Sequence, residues 1–389
     1  MQVWIELILL SYFSYVTLYS FTFSFAGLFY TIPSFVSITS GSQNKIAVFI
    51  PSYKEDTVIV GVAKQALNQL YSKSKYDVIV IADSLKKETL DELRKLDIIV
   101  HEVHFEKSTK VKSLKSVLNT YVNYDIAVIL DADNVMYPDF LQQINTCYNN
   151  GWKAIQGQRK AKNSNSPFAV LDGLSETIAN HMNRKGSIAL GLSSPIIGSG
   201  MAYDFTLLKD IMNTIDSVGG FDKELQLKVL AAEEKIHYLH SAIVLDEKVD
   251  NPEVFQNQRK RWMSSHYIYF KKFFLLGIRS LFKGQLSIFN ISILYNLQLP
   301  RVMNLGLFTI VTALSLVLQN WLHFPFWYWP VLYLVYIISF LFAVPRSLYN
   351  KSLVTAILHL PKAFLSVLLI HFKLKGADKK FIHTPHKQQ

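Results

Sequence analysis

Cysteine is almost absent: Cys147 is the single one in 389 residues. An intramolecular disulfide is therefore excluded, a thiolate metal cluster lacks ligands, and the middle of the chain suits a reducing, cytosolic setting. Carboxylates are scarce beside basic residues, 29 Asp and Glu against 40 Lys and Arg, which leaves a formal net charge of +11. Charged residues make up only 18% of the chain and apolar ones 50%. That balance is too greasy for an ordinary soluble enzyme and too charged for a protein held mostly in a bilayer, so a mixed architecture is implied. The chain has no internal repeat and no low-complexity tract.

A basic excess fits nucleic acid, an anionic membrane surface or a phosphorylated substrate. Its placement decides among them. Basic residues gather at 107–115, 259–261, 271–272 and 373–380, and the last three groups border hydrophobic segments. That favours membrane lipids of an inner leaflet. Nucleic acid is disfavoured, because no recognition module is visible and the aromatic residues lie in apolar segments instead of alternating with the basic ones.

The apolar excess is concentrated at the two ends. Residues 3–30 are almost continuously apolar and long enough to cross a hydrocarbon core of roughly 30 Å, so they predict a membrane helix. A cleaved signal peptide fits less well, since the first six residues carry no basic group and no small-x-small site follows. Residues 302–322 and 326–344 predict a helical hairpin across the bilayer. Its connector is uncharged and the next loop carries Arg346 and Lys351, so the positive-inside rule puts that loop and the central domain in the cytoplasm and Met1 outside. Residues 353–372 are interrupted by Pro361-Lys362 and read as an interfacial or re-entrant helix, with a full crossing as the alternative. The expected division is 1–36, a transmembrane helix and linker; 44–265, a globular domain; 266–300, interfacial helices; 301–345, the transmembrane hairpin; and 352–389, an interfacial or transmembrane helix with a basic tail.

Within the globular part, residues 45–50 read as a buried strand ending in the loop Ser52-Tyr53-Lys54-Glu55-Asp56. A second strand, 77–82, ends at Asp83, and a third, 125–130, runs into Asp131. Residues 58–71 between the first two have helical spacing. Alternating strands and helices predict an α/β domain with a mostly parallel sheet, whose ligand sites lie at the carboxyl ends of the strands.

The chemistry-bearing motifs fall at such ends or beyond them. Carboxylates one residue apart point to opposite faces of a strand, but just past the end of Asp125–Leu130 the backbone can turn Asp131 and Asp133 towards one ligand. Mg2+ or Mn2+ is commonly held by one or two carboxylates together with diphosphate oxygens. Gly198-Ser199-Gly200 predicts a tight turn. Asp222 follows Gly219-Gly220-Phe221, a pattern that suits the cap of a helix beginning at Lys223 and equally a general base. In Gln258-Arg259-Lys260-Arg261-Trp262 two planar, permanently charged groups sit beside a flat ring, and plain membrane anchoring would need no such fixed spacing.

Taken together, Pro51-Ser52-Tyr53-Lys54-Glu55, Asp83, Asp131-Ala132-Asp133, Gly198-Ser199-Gly200, Asp222 and Gln258-x-x-Arg261-Trp262 resemble the membrane-embedded inverting family 2 glycosyltransferases. That family includes cellulose, hyaluronan, chitin and poly-N-acetylglucosamine synthases. The resemblance implies an α/β GT-A nucleotide-sugar-binding domain, a mostly parallel mixed sheet with flanking helices, inserted between N-terminal and C-terminal transmembrane helices. It implies a plasma or bacterial inner membrane location with the catalytic domain cytoplasmic, a UDP-sugar donor, Mg2+ or Mn2+, and a growing polysaccharide or lipid-linked glycan as acceptor.

Residue by residue, the resemblance places Tyr53 and Glu55 beside the uracil and Asp83 on the base or ribose. Asp131 falls on the nucleotide and metal, and Asp133 on the metal. Lys112 and its neighbour Lys110 match basic residues near the nucleotide. Gln258, Arg259 and Arg261 match the diphosphate clamp, Trp262 a stacking face for the acceptor sugar, and Gly198, Ser199 and Gly200 the acceptor-side loop. Asp222 matches the general base, with Glu224 as the substitute. The chain departs from the family in placing Phe221, not an acid, before Asp222. Residues 379–386 resemble the family's post-membrane tail, and His383 and His386 there read as surface residues. Few membrane segments are available for a polymer channel. A homo-oligomer, an accessory export subunit and single-sugar transfer to a lipid acceptor are therefore alternatives, and a non-catalytic scaffold or transporter is the reading from another class.

Overall fold

The computed structural model describes residues 2–31, 42–217, 219–250 and 252–371. The linker at 32–41 and the basic tail with His383 and His386 lie outside the described residues. The centre is an eight-stranded mixed sheet in the order β3-β2-β1-β4-β7-β6-β8-β5. The strands are β1 (Ile46–Tyr53), β2 (Tyr76–Asp83), β3 (Ile99–Val103), β4 (Ile126–Ile129), β5 (Val135–Met136), β6 (Ala154–Ala161), β7 (Met201–Asp204) and β8 (Ile236–Asp246). β1 pairs parallel with β2 and β4, and β2 with β3, whereas β7 runs antiparallel to both β4 and β6.

Strands β1, β2 and β4 read as unbroken apolar runs because helices cover both faces of the sheet. Ile46, Val48, Ile50, Val78, Val80, Ile126 and Val128 share one core with the helices Ile59–Ala66 and Phe140–Asn149. The alternate residues Ala47, Phe49, Ile79, Ile81, Ala127 and Ile129 face Lys110–Thr120, Phe205–Asn213 and Phe221–Ala231. This period of two fixes the register, since a slip by one residue would exchange the two cores. It also sets Tyr53 opposite Asp83 and Phe49 opposite Ile129. The carboxyl ends of β1, β2 and β4 therefore form one edge. At that edge Lys54 and Ser84, the residues after β1 and β2, have φ of 57° and 58°, left-handed conformations that turn the chain sharply away from the sheet.

The apolar ends pack against each other. The helix Gln2–Gly27 lies along Tyr328–Ala343, with Ser24 Oγ donating to the Ser339 carbonyl at 2.5 Å. Its Phe13 stacks on Phe308 of Arg301–Val317 at 4.3 Å. Glu6, the one acid in this apolar segment, is buried and accepts from the backbone N–H groups of His323 and Phe324 at 2.9 and 3.1 Å. It thereby closes the turn between the two C-terminal helices. By length and composition Gln2–Gly27 is apolar enough to cross a membrane. The bent pairs Leu286–Leu297 with Arg301–Val317 and Lys351–Leu358 with Leu360–His371 would bring the number to three if each is one span.

The α/β domain sits directly on this helical part. Its segment Asn180–Gly186, a π-helical continuation of Pro167–Ala179, packs on the last turns of Gln2–Gly27. A Cβ added to Gly186 would stand 2.1 Å from the Phe23 carbonyl oxygen. Phe168, Phe255, Met263, Met303, Val367 and Ile370 form one buried cluster that joins four separate helices. Gly186→Ala should therefore push the domain off the first helix and lower the unfolding temperature in detergent, by the equivalent of about 1–3 kcal/mol for overpacking. Gly61→Ala, where an added methyl group meets nothing within 4 Å, is the control. Equal unfolding temperatures for the two variants would contradict the tight contact.

Candidate active site

β4 stops at Ile129, and Asp131 and Asp133 follow in a turn held by Asn134. The Asn134 backbone N–H donates to the Asp131 carbonyl at 3.1 Å, and its side-chain Oδ1 accepts from the Asp131 N–H at 3.2 Å. Asn134 Nδ2 reaches Asp133 Oδ1 at 3.2 Å and Asp246 Oδ1 at 3.1 Å. Asp246 is the last residue of β8. One carboxylate oxygen from each of Asp131, Asp133 and Asp246 lies within 4.8 Å of the other two. An all-oxygen set of this kind suits a hard divalent cation such as Mg2+ or Mn2+.

Cations beside and beneath this cluster offset its negative charge. Lys110 Nζ pairs with Asp131 and also donates to the Gly198 carbonyl at 2.8 Å. Arg159, on β6, donates from Nε to both oxygens of Glu176 at 3.0 and 3.1 Å, and its Nη1 lies 3.5 Å from Asp246 and 4.0 Å from Asp131. Lys248 Nζ pairs with Glu176 and, at 2.7 Å, with Asp246. Burial alone would lift these carboxyls. Lys110 and Arg159 overcome it at Asp131, as Arg159 and Lys248 do at Glu176 and Asp246, and all three are held below the ordinary carboxylate range.

The turn Gly198-Ser199-Gly200 runs beside the acids. Gly198 and Gly200 have φ of 84° and 61°, a region that a side chain would strain. Gln156 Nε2 donates to the Ser199 carbonyl at 3.0 Å, and Arg159 Nη1 donates to Ser199 Oγ at 3.3 Å. Gly198 turns its α-carbon towards Asp222: a Cβ built there would be 3.8 Å from the Asp222 Cβ.

The helix starts at Phe221, with Gly220 as its cap in the left-handed region, so Asp222 lies inside the first turn and is not used as the cap. Asp222 is half-buried, and its side chain makes no hydrogen bond among the described residues. Glu224 is different. It is buried, accepts from Lys272 Nζ at 2.9 Å and lies 3.6 Å from Lys228.

The long helix Pro252–Phe282 carries the Gln258 to Trp262 motif and separates its arginines. Arg261 turns to the acids. Burial pulls its guanidinium below the usual arginine value, and the fields of Asp131 and Asp222 oppose that pull. Arg259 turns away, pairs with Asp172 of Pro167–Ala179, and is sandwiched between the Phe255 and Trp262 rings at 4.7 Å from each. Trp262 is 39% exposed, and the Gln258 Oε1 is buried without a partner.

The remaining sequence candidates fall along the strand-end edge. Asp83 is buried, accepts from Ser84 Oγ at 3.0 Å and keeps its second oxygen without a hydrogen-bond partner. Tyr53 is half-buried with Lys54 Nζ over its ring, and Glu55 is buried with its carbonyl opening the next helix. Lys112 is not brought to the acids. Two residues along a helix project to roughly opposite sides, so Lys110 faces Asp131 while Lys112 donates to the Lys107 carbonyl at 3.0 Å on the outside. Asp246, Arg159, Glu176 and Lys248 had no motif to announce them; an Asp at the end of a strand is the only local signal.

A mixed sheet with a cluster of three acids at its strand ends, and an arginine-bearing helix over them, defines a GT-A-like α/β fold. Residues 43–265 match the glycosyltransferase like family 2, and the chain belongs to that family. It is 24% identical over 238 residues to the probable glycosyltransferase YdaM of Bacillus subtilis, covering 59% of this chain and 57% of that protein. Among solved structures, the mannosyltransferase PcManGT of Pyrobaculum calidifontis, in complex with GDP-Man and Mn2+, superposes with a TM-score of 0.51 at 14% identity. That match covers 93% of this chain and 98% of the other. TarS of S. aureus is similar over 56% of this chain and 38% of its own, at 18% identity and a TM-score of 0.40.

Lys248→Met leaves two buried carboxylates with Arg159 alone. It should cost about 3–5 kcal/mol of stability at neutral pH, and adding Glu176→Gln should recover part of that. Because Glu176 and Asp246 are held below their unfolded value of about 4, their stabilisation is present above that pH and is lost as pH falls through their folded values. The gap between wild type and Lys248→Met should accordingly narrow on acidification, measured as unfolding temperature against pH. A gap independent of pH would contradict this reading.

Proposed function

We propose that the protein is an inverting membrane glycosyltransferase, transferring a sugar from a UDP-sugar to a hydroxyl of a growing polysaccharide or lipid-linked glycan with Mg2+ or Mn2+. The observation that carries this reading is the unspent carboxylate of Asp222, set beside Gly198 and facing Arg261 and the acid cluster. Family membership and the Mn2+ and GDP-Man held by PcManGT support a metal and a nucleotide-sugar donor. The apolar first helix and the basic groups bordering the apolar segments support a membrane location with the catalytic domain on the cytoplasmic side.

Asp131, Asp133 and Asp246 would hold the cation, which when bound supplies positive charge against the departing diphosphate. Asp83, whose second oxygen has no hydrogen-bond partner, would accept from a nucleobase N–H, with Tyr53 and Glu55 at the same end of the edge. Arg261, with Gln258 beside it, offers fixed donors to the diphosphate. Arg259 would act through another residue: its stacking and its bond to Asp172 hold Trp262, a flat exposed face, for an acceptor sugar.

Asp222 takes the proton from the acceptor hydroxyl while that oxygen attacks the anomeric carbon. The bond from that carbon to the diphosphate oxygen breaks, its electron pair leaves with UDP, and one displacement inverts the configuration. Glu224 is neutralised by Lys272 and Lys228 and serves this step poorly.

Asp222→Asn should lower kcat by about 10²–10⁴ while UDP and Mn2+ still bind. Glu224→Gln should retain most activity. Both are read from sugar transfer by membranes or purified protein over UDP-sugars and GDP-mannose. Full activity in Asp222→Asn, or a larger loss in Glu224→Gln, would overturn the assignment.

A further inference from the structure

The Asp222 side chain makes no hydrogen bond among the described residues, so its place is set by the backbone turn that carries it. That turn is Gly219-Gly220, two residues without side chains. Gly219 is exposed, and a Cβ built there would meet nothing within 4 Å. Gly220 is left-handed, with φ of 66°, and gives the helix Phe221–Ala231 no side-chain cap. Paired glycines are the freest backbone a chain can have. Left to itself, such a turn would not hold a carboxylate in one place.

The turn is held from outside, by the helix that carries Arg261. Tyr269 is buried and donates from its hydroxyl to the Gly219 carbonyl at 3.1 Å. Gly220 lies flat against the same helix: a Cβ added there would stand 2.9 Å from the Ser265 Cβ and 3.0 Å from the Tyr269 ring carbon Cε2. Further along, Lys272 Nζ reaches Glu224 at 2.9 Å, and Phe273, on which Tyr269 stacks, packs against Leu227 and Leu230. Arg261, Ser265, Tyr269 and Phe273 recur every four residues and so form one ridge along Pro252–Phe282. The first of them has Asp131 and Asp222 in its field, and the next two grip the turn before Asp222.

Resting on the transferase reading, we propose that Tyr269 is a positioning residue for the general base: its hydroxyl fixes the Gly219-Gly220 turn and thereby places the Asp222 carboxylate relative to Arg261. A single displacement needs the base on one side of the anomeric carbon and the leaving diphosphate on the other, at a fixed separation. The base and the arginine that meets the diphosphate lie on different helices, and Tyr269 makes them one unit before any substrate binds. Ring and hydroxyl have separate tasks. The ring packs on Gly220 and Phe273, and the hydroxyl alone reaches the turn. Tyr269→Phe therefore keeps the packing and removes one bond.

The test measures sugar transfer by purified full-length protein, together with hydrogen exchange of the peptide spanning residues 219–223. Tyr269→Phe should speed exchange in that peptide, lower kcat by about 10–10²-fold and leave the donor KM nearly unchanged. Adding Tyr269→Phe to Asp222→Asn should slow transfer no further, because a residue that acts through the base has no effect once the base is gone. A merely structural role would instead multiply the two losses. Multiplied losses, wild-type exchange in Tyr269→Phe, or a raised KM at unchanged kcat would each overturn the proposal. Should Tyr269→Phe not fold, Ser265→Val carries the same cycle with the same outcomes, since it replaces the hydroxyl against Gly220 by two methyl groups. Transfer that Asp222→Asn fails to slow would sink the reading of Asp222 as the base. Transfer slowed by Asp222→Asn but not by Tyr269→Phe would sink this proposal alone.

Discussion

The geometry of the site depends on a charge network closed beneath it. Asp131, Asp133 and Asp246 come from two strands that are distant in the chain, and three close carboxylates repel unless something compensates them. Arg159 and Lys248 do so from below and Lys110 from the side, with Glu176 balancing the first two. Because Lys248, Glu176 and Asp246 are buried, removing one of them costs far more than breaking a surface ion pair would. The network therefore acts as a fixed scaffold, holding the oxygens together before any ligand arrives.

Glu176 links this scaffold to the apolar helices. It lies on Pro167–Ala179, the helix that continues through Asn180–Gly186 onto the first apolar helix and that also supplies Asp172 to Arg259. Acids, arginine helix and apolar helices are thus joined by one element. A domain merely tethered beside a membrane would need no such contact.

Much of the catalytic half was legible in the sequence, for a physical reason. β1, β2 and β4 are buried on both faces, so their apolar runs are unambiguous, and the polar residues that end them mark the edge where Tyr53, Asp83 and Asp131 meet. β6 was not legible, because Gln156 and Gln158 lie inside it; Gln156 is buried to hold the Ser199 turn. Asp246 was missed because nothing around it repeats or is spaced like a motif. Helix phase accounts for the rest: it selects Lys110 over Lys112, and Arg261 over Arg259, to face the acids, and a run of basic residues in a sequence carries no such phase. The GT-A-like α/β fold and family membership followed from the same few strand ends.

The most direct measurement is UDP release by the purified full-length protein over a panel of UDP-sugars, with Mn2+, with Mg2+ and with chelator, alongside Asp133→Ala and Asp246→Asn. The account predicts release from one donor that chelator abolishes and that both variants reduce, together with weaker Mn2+ binding in each. Release that persists in chelator, or variants that bind Mn2+ as the wild type does, would contradict a metal site built from these three acids.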